Sequence, residues 1–151
     1  MKNEFWLERW ERAEIGFHQD AVNPYLLQYW SRLGAAQGGE VFVPLCGKSL
    51  DMLWLRQQGH AVLGVELSPI AVRDFFAENG LALTHASAGQ FDRCEADGIR
   101  ILCGDFFELT REHLAQVRAV YDRASLVALP PEMRARYARH LAELLPSGTQ
   151  V

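Results

Sequence analysis

VFVPLCGKSLDMLWLRQQGHAVLGVELSP, residues 41–69, decides the fold. An apolar run, Val41–Val43, leads into a tight turn that holds Gly47. A helical pattern follows from Ser49 to Gln58 and stops at Gly59. A second apolar run, Ala61–Val65, ends on an acid, Glu66. Strand, turn, helix and strand in this order make a βαβ unit. Gly47 has no Cβ, so its backbone can approach a ligand closely. The helix start directs free N–H groups at whatever sits over the turn. Glu66 lies nineteen residues past Gly47, where an acid reaches a ribose diol in a nucleoside-binding unit. The plain alternative is an ordinary turn followed by a surface acid.

Three ligands suit such a unit: a dinucleotide, a nucleoside triphosphate or S-adenosylmethionine. A dinucleotide site needs G-x-G-x-x-G to bring pyrophosphate onto the helix. Here the turn reads Pro44-Leu45-Cys46-Gly47-Lys48-Ser49, with one glycine. A triphosphate site needs G-x-x-x-x-G-K-[ST]. Gly47, Lys48 and Ser49 match its end, but Phe42 stands where its first glycine belongs. S-adenosylmethionine carries no phosphate. It requires one close backbone approach, an acid for the ribose and a flat or apolar surface for adenine.

Outward from this unit the chain alternates strands and helices. Phe5–Glu14 reads as an amphipathic helix with Trp6 and Trp10 on one face. Asn23-Pro24 opens a helix that runs to Trp30. Ser68 caps a further helix, Pro69 takes its first position, and Gly80 follows its end. Gln90–Glu95 and Ile99–Cys103 flank Ala96-Asp97-Gly98 as a hairpin. Thr110–Val117 is predicted as a short helix and Ala119–Asp122 as the fourth central strand. Pro131–Leu145 carries a helical stripe of Met133, Tyr137, Leu141 and Leu144. Right-handed crossovers would place the central strands in the order 3-2-1-4.

Composition agrees with one domain. A chain of 151 residues can bury a sizeable core. The net charge of −4 with no basic stripe argues against nucleic acid as a partner. No apolar run is long enough to span a membrane. Glu4, Glu8 and Glu11 stand where a secretory signal would be basic and then apolar. Cys46, Cys94 and Cys103 lack C-x-x-C spacing, which points to a reducing cytoplasm. Cys46 beside the turn is either a nucleophile or a small packing residue, and no partner base is evident for the first role. The scattered histidines give no ligand spacing, so no metal is expected.

The segments FWLERWERAEIGFHQ, PLCGKSLDMLWL, GHAVLGVELS, ILCGDFFEL and YDRASLVAL resemble the thiopurine S-methyltransferase family in its bacterial form. The resemblance extends from Phe5 to the last residue. It implies a Rossmann-like, class I methyltransferase domain with a mostly parallel sheet flanked by helices. S-adenosyl-L-methionine would be the cofactor, and the acceptor a small-molecule thiol such as a thiopurine or a selenium or tellurium compound. It also implies an N-terminal helical cap over about residues 1–37 and a core over about 38–151. Thr149-Gln150-Val151 reads as the start of a fifth central strand, with further strands to follow, so the chain reads as truncated there.

Carried over by position, the family's cofactor contacts fall on Trp10, Leu45, Glu66 and Arg123, beside Gly47 of the turn. Trp10 would lay a flat face over the sulfonium or the substrate; a core tryptophan is the rival reading. Asp105 would either meet the adenine amino group or serve as a helix-start acid. Arg123 would be catalytic, stabilising an anionic acceptor beside the methyl group. Asp122 reads as a helper for Arg123 rather than a base. The chain is expected to be a cytoplasmic monomer. Two other readings remain: a nucleotide hydrolase resting on Gly47-Lys48-Ser49, and a non-catalytic small-molecule binder.

Overall fold

The computed structural model describes residues 3–13, 21–30, 39–122, 129–146 and 148–149. In chain order the elements are α1 (Asn3–Glu11), α2 (Pro24–Tyr29), β1 (Glu40–Val43), α3 (Asp51–Gln57), β2 (Val62–Glu66) and α4 (Pro69–Glu78). Then come β3 (Thr84–Ala88), β4 (Phe91–Ala96), β5 (Ile99–Cys103), a single 3-10 turn (Phe106–Glu108), β6 (Val117–Val120) and α5 (Pro131–Leu144).

The strands form one sheet in the order β3-β4-β5-β2-β1-β6. β5, β2, β1 and β6 run parallel, which is the expected 3-2-1-4 arrangement of the central strands. β3, β4 and β5 form an antiparallel meander on one flank. β1 and β2 are buried on both faces, as parallel strands covered by helices must be. Alternate side chains serve two cores. Val41, Val43, Val62, Ile99 and Ile101 pack with Met52, Leu55, Phe75 and Phe76 from α3 and α4. Phe42, Leu63, Val65, Leu102 and Val120 pack on the other side with Phe106 and with Tyr137, Leu141 and Leu144 of α5.

Local chemistry sets the element ends. Asn23 Oδ1 accepts from the N–H groups of Tyr25 and Leu26, and Pro24 takes the first helical position of α2. Ser68 Oγ accepts from Ala71 N–H, with Pro69 opening α4. Asp97 and Gly98 both have positive φ, 50° and 80°, in the tight turn of the β4–β5 hairpin.

Two expectations change. Thr110–Val117 is not an α-helix. His113, Leu114, Ala115 and Val117 each donate to a carbonyl three residues back, so the segment is a run of tight turns. Val117 then belongs to β6, which spans Val117–Val120 rather than 119–122, pairing with Glu40 of β1. In addition β3, Thr84–Ala88, is a strand where none was expected. The expected fifth-strand start at 149–151 lies outside the described residues except for Thr149, whose N–H and Oγ1 both donate to Pro146 O.

Gly64 in β2 is where the sheet presses on the Gly47 turn. A Cβ there would stand 2.8 Å from Cys46 Sγ and 3.4 Å from Met52 Sδ. Gly64→Ala should lower the unfolding free energy by about 1–3 kcal/mol, the usual cost of overpacking a core. The shift in urea midpoint measures it, and an unchanged midpoint would mean that Cys46 yields freely.

Candidate functional site

The C-terminal ends of β1, β2 and β5 converge on the turn Leu45-Cys46-Gly47. Leu45 and Gly47 both adopt the left-handed region, with φ of 49° and 56°. Leucine seldom does so, at a cost of roughly 1–2 kcal/mol, so the tertiary structure holds the turn in this shape. Cys46 N–H donates to Val65 O at 3.0 Å, stitching the turn to β2. Gly104 N–H donates to the backbone O of Glu66 at 2.9 Å, stitching β5 to the same point.

The Glu66 carboxylate lies inside this junction, 7% exposed. Its Oε1 accepts from Gly47 N–H at 3.0 Å and its Oε2 from Ser68 N–H at 2.7 Å. One acid therefore bridges the turn after β1 and the start of α4. Burial raises its pKa above the ordinary value of 4.5, while the N–H groups of Ser68, Gly47 and Leu67 pull it down. A carboxylate offers about four lone-pair positions, so these backbone donors do not use all of its acceptor capacity.

Trp10 of α1 is buried and covers the turn: a Cβ on Gly47 would meet its Cζ2 at 3.3 Å. Trp10 is thus a buried ring laid on the Gly47 turn, as the core reading has it, at a position next to the Glu66 junction. Asp105 follows Gly104 and starts the 3-10 turn, its Oδ1 accepting from Phe107 N–H at 2.9 Å. The helix-start role of Asp105 is present, in a residue that adjoins the Glu66 junction. Trp10, Leu45, Gly47 and Glu66 are brought together, and Asp105 stands beside them. Arg123 lies outside the described residues. Asp122 before it accepts from Tyr137 OH of α5 at 2.7 Å.

Lys48 turns away from any phosphate role. Its Nζ donates to both oxygens of Glu78 on α4, at 3.1 and 2.8 Å, and Asp74 lies 4.0 Å away. Burial, and after it the charge of Glu66, pushes the Cys46 thiol well above its ordinary range. Cys46 is therefore a neutral packing group rather than a nucleophile. Burial likewise pushes the Cys103 thiol up to about 11. Among the described residues no group of three or more His, Cys, Asp and Glu side chains is arranged to hold a metal ion.

Asp51, at the start of α3 and 1% exposed, is a further buried acid near the turn. It accepts from Asn23 N–H and from Tyr121 OH. A carboxylate in phase with Met52 and Leu55 on the apolar side of a helix was its signal in the sequence.

The sequence profile of the thiopurine S-methyltransferase family matches residues 1–151. The chain belongs to that family. A thiopurine S-methyltransferase of Nitrosospira multiformis is 61% identical over 151 residues, all of this chain and 69% of the relative. That of Azotobacter vinelandii is 56% identical over 148 residues, 98% of this chain and 68% of the relative. The chain thus spans about two thirds of the length of these relatives. Among solved structures, 1,6-didemethyltoxoflavin-N1-methyltransferase of Burkholderia thailandensis, with bound S-adenosylhomocysteine, superposes with a TM-score of 0.65. It is 17% identical and the match covers 95% of this chain and 56% of that one, a likeness of fold. The thiopurine S-methyltransferase family and the Rossmann-like fold make this chain a methyltransferase that uses S-adenosylmethionine. The site fits that cofactor: a glycine without a Cβ at the turn, an acid beside it, and a Lys48 engaged by Glu78 rather than turned to a phosphate.

The raised pKa of Glu66 carries a stability consequence. The folded chain holds that proton more tightly than the unfolded chain does. The contribution of Glu66 to stability is complete below about 4.5 and is lost as pH rises through its raised folded pKa. The stability of wild type relative to Glu66→Gln should therefore fall as pH rises through that window and then level off. Urea unfolding of both proteins across the window tests this, and a difference independent of pH would contradict it.

Proposed function

We propose that the chain transfers the methyl group of S-adenosylmethionine to the sulfur of aromatic or heterocyclic thiols, thiopurines among them, and to selenium or tellurium nucleophiles of similar softness. The observation that carries the reading is the buried Glu66 carboxylate holding the Gly47 turn under the Trp10 ring. In this reading Glu66 accepts hydrogen bonds from the ribose hydroxyls. The backbone at Leu45 and Gly47 meets the methionine portion, and Trp10 covers the sulfonium. Asp105 meets the adenine edge with whatever capacity its helix-start bond leaves.

When bound, the sulfonium supplies a methyl carbon activated for attack by a lone pair and leaves as a neutral thioether. The protein's part is then to align, because an in-line displacement gains most of its rate from orientation. Arg123, three residues beyond β6 in sequence, is proposed as the catalytic residue. Its guanidinium stays charged and offers a planar fork of donors to an anionic thiolate. Aromatic thiols ionise readily, so no strong base is required. Asp122, engaged by Tyr137, would steady the strand end that leads to Arg123.

The domain reading places a helical cap over about 1–37 against a core over about 38–151. The negative charge disfavours nucleic acid, and the unpaired cysteine pattern suits a reducing cytoplasm. No helix among the described residues is long and apolar enough to cross a membrane. We infer a monomer that acts on small molecules.

Calorimetric titration with S-adenosylhomocysteine and with magnesium ATP tests the cofactor reading. S-adenosylhomocysteine should bind and ATP should not. Glu66→Ala should weaken S-adenosylhomocysteine by roughly tenfold to a hundredfold, as expected for a lost hydrogen bond to a charged acceptor. Arg123→Lys should lose turnover with a thiol acceptor at saturating cofactor if the guanidinium stabilises the thiolate, whereas a loss recovered at saturating cofactor would make Arg123 a cofactor contact alone. Tighter binding of ATP, or an unaffected Glu66→Ala variant, would overturn the assignment.

A further inference from the structure

An acid in the first turn of a helix usually sits in solvent, where it complements the helix dipole. Asp51 is buried instead, and both its oxygens are taken. Oδ1 accepts from the backbone N–H of Asn23 at 2.7 Å, and Oδ2 accepts from Tyr121 OH at 2.8 Å. The partners lie 28 residues before and 70 residues after it in sequence.

Each partner is itself fixed. Asn23 caps α2 with its own side chain. Tyr121 follows β6 and donates its N–H to Phe42 O of β1 at 2.9 Å. Asp51 N–H donates to Ser49 Oγ at 3.2 Å, which ties the carboxylate's own backbone to the segment leaving the Gly47 turn. A buried carboxylate costs several kcal/mol unless its oxygens are satisfied. Packing alone would favour an apolar residue here, in line with Met52 and Leu55.

We propose that Asp51 is a positioning residue for methyl transfer. Its carboxylate locks the start of α2, through Asn23, to the end of β6, through Tyr121. The lock fixes Asn23 and Tyr121 against the segment that leaves the Gly47 turn. It rests on the site reading given under Proposed function and adds a residue which that reading does not use. Tyr121 and Asp122 then form a pair of anchors at the end of β6. One is held by Asp51 and the other by Tyr137 of α5.

The test compares S-adenosylhomocysteine affinity, measured by calorimetry below the melting temperature of each protein, in wild type and variants. Asp51→Ala should weaken binding by about tenfold, and Tyr121→Phe by a smaller factor. Asp51→Asn should recover most of the affinity, because an amide can still accept from Asn23 N–H and donate to the Tyr121 oxygen. Glu40→Gln is the control for general destabilisation. Glu40 is also buried and pairs with Arg100 at 2.7 Å, but at the other end of β1. Glu40→Gln should lower the melting temperature and leave affinity unchanged.

Wild-type affinity in a folded Asp51→Ala protein would overturn the proposal, as would an equal loss in Glu40→Gln. Should Asp51→Ala not fold, wild-type affinity in Tyr121→Phe would overturn it. A wild-type chain that takes no S-adenosylhomocysteine would instead sink the cofactor reading. The lock would then stand or fall on whether Asp51→Ala and Tyr121→Phe are non-additive in unfolding free energy, and additivity would overturn it.

Discussion

The buried carboxylate of Glu66 is the constraint around which the rest of the site is arranged. An ionised acid inside a protein has to be given hydrogen-bond donors, and here the donors come from the backbone of two different connections. To aim Gly47 N–H at Glu66, the turn after β1 takes left-handed geometry at both Leu45 and Gly47. To aim Ser68 N–H at it, the chain enters α4 directly after β2, capped by the same Ser68. The arrangement is costly in stability at neutral pH, since burial favours the protonated acid. A fold selected for stability alone would carry an apolar residue there. A cradle for a ribose diol has reason to keep the charge.

The same geometry separates this turn from a phosphate loop that it partly resembles in sequence. A phosphate loop needs a lysine free to reach phosphate and a run of unengaged N–H groups. Lys48 instead clamps the turn to Glu78 of α4. The Gly47 N–H is already given to Glu66. What remains is a close, uncharged backbone surface beneath an aromatic ring, which suits a nucleoside carrying a sulfonium better than one carrying phosphates. Cys46 fits the same logic, since its thiol fills the space that Gly64 leaves open and stays neutral.

Features written in local sequence were legible before the structure. Asn23-Pro24 and Ser68-Pro69 mark helix starts because cap and ring act on the next few residues. Asp97-Gly98 marks a hairpin because both positions require positive φ. Glu66 and Gly47 were legible because a βαβ unit fixes their spacing. Features that depend on distant partners were not. β3, THASA, is mostly exposed and lacks an apolar alternation; its pairing with β4 makes it a strand. Thr110–Val117 has helix-forming residues, yet Val117 is drawn into the sheet beside Glu40 and the rest is left as tight turns. Asp51 reads as an ordinary helix-start acid until Asn23 and Tyr121 are seen on its two oxygens.

The account stands on Glu66 as the group that holds the cofactor's ribose. A crystal structure of the chain with S-adenosylhomocysteine tests this most directly. The account predicts both ribose hydroxyls within about 3 Å of the Glu66 oxygens, typical of hydrogen bonds to a carboxylate, with Gly47 N–H and Ser68 N–H still donating to the same acid. A nucleoside bound elsewhere, or one bound over the turn with Glu66 engaged only by its backbone donors, would contradict it.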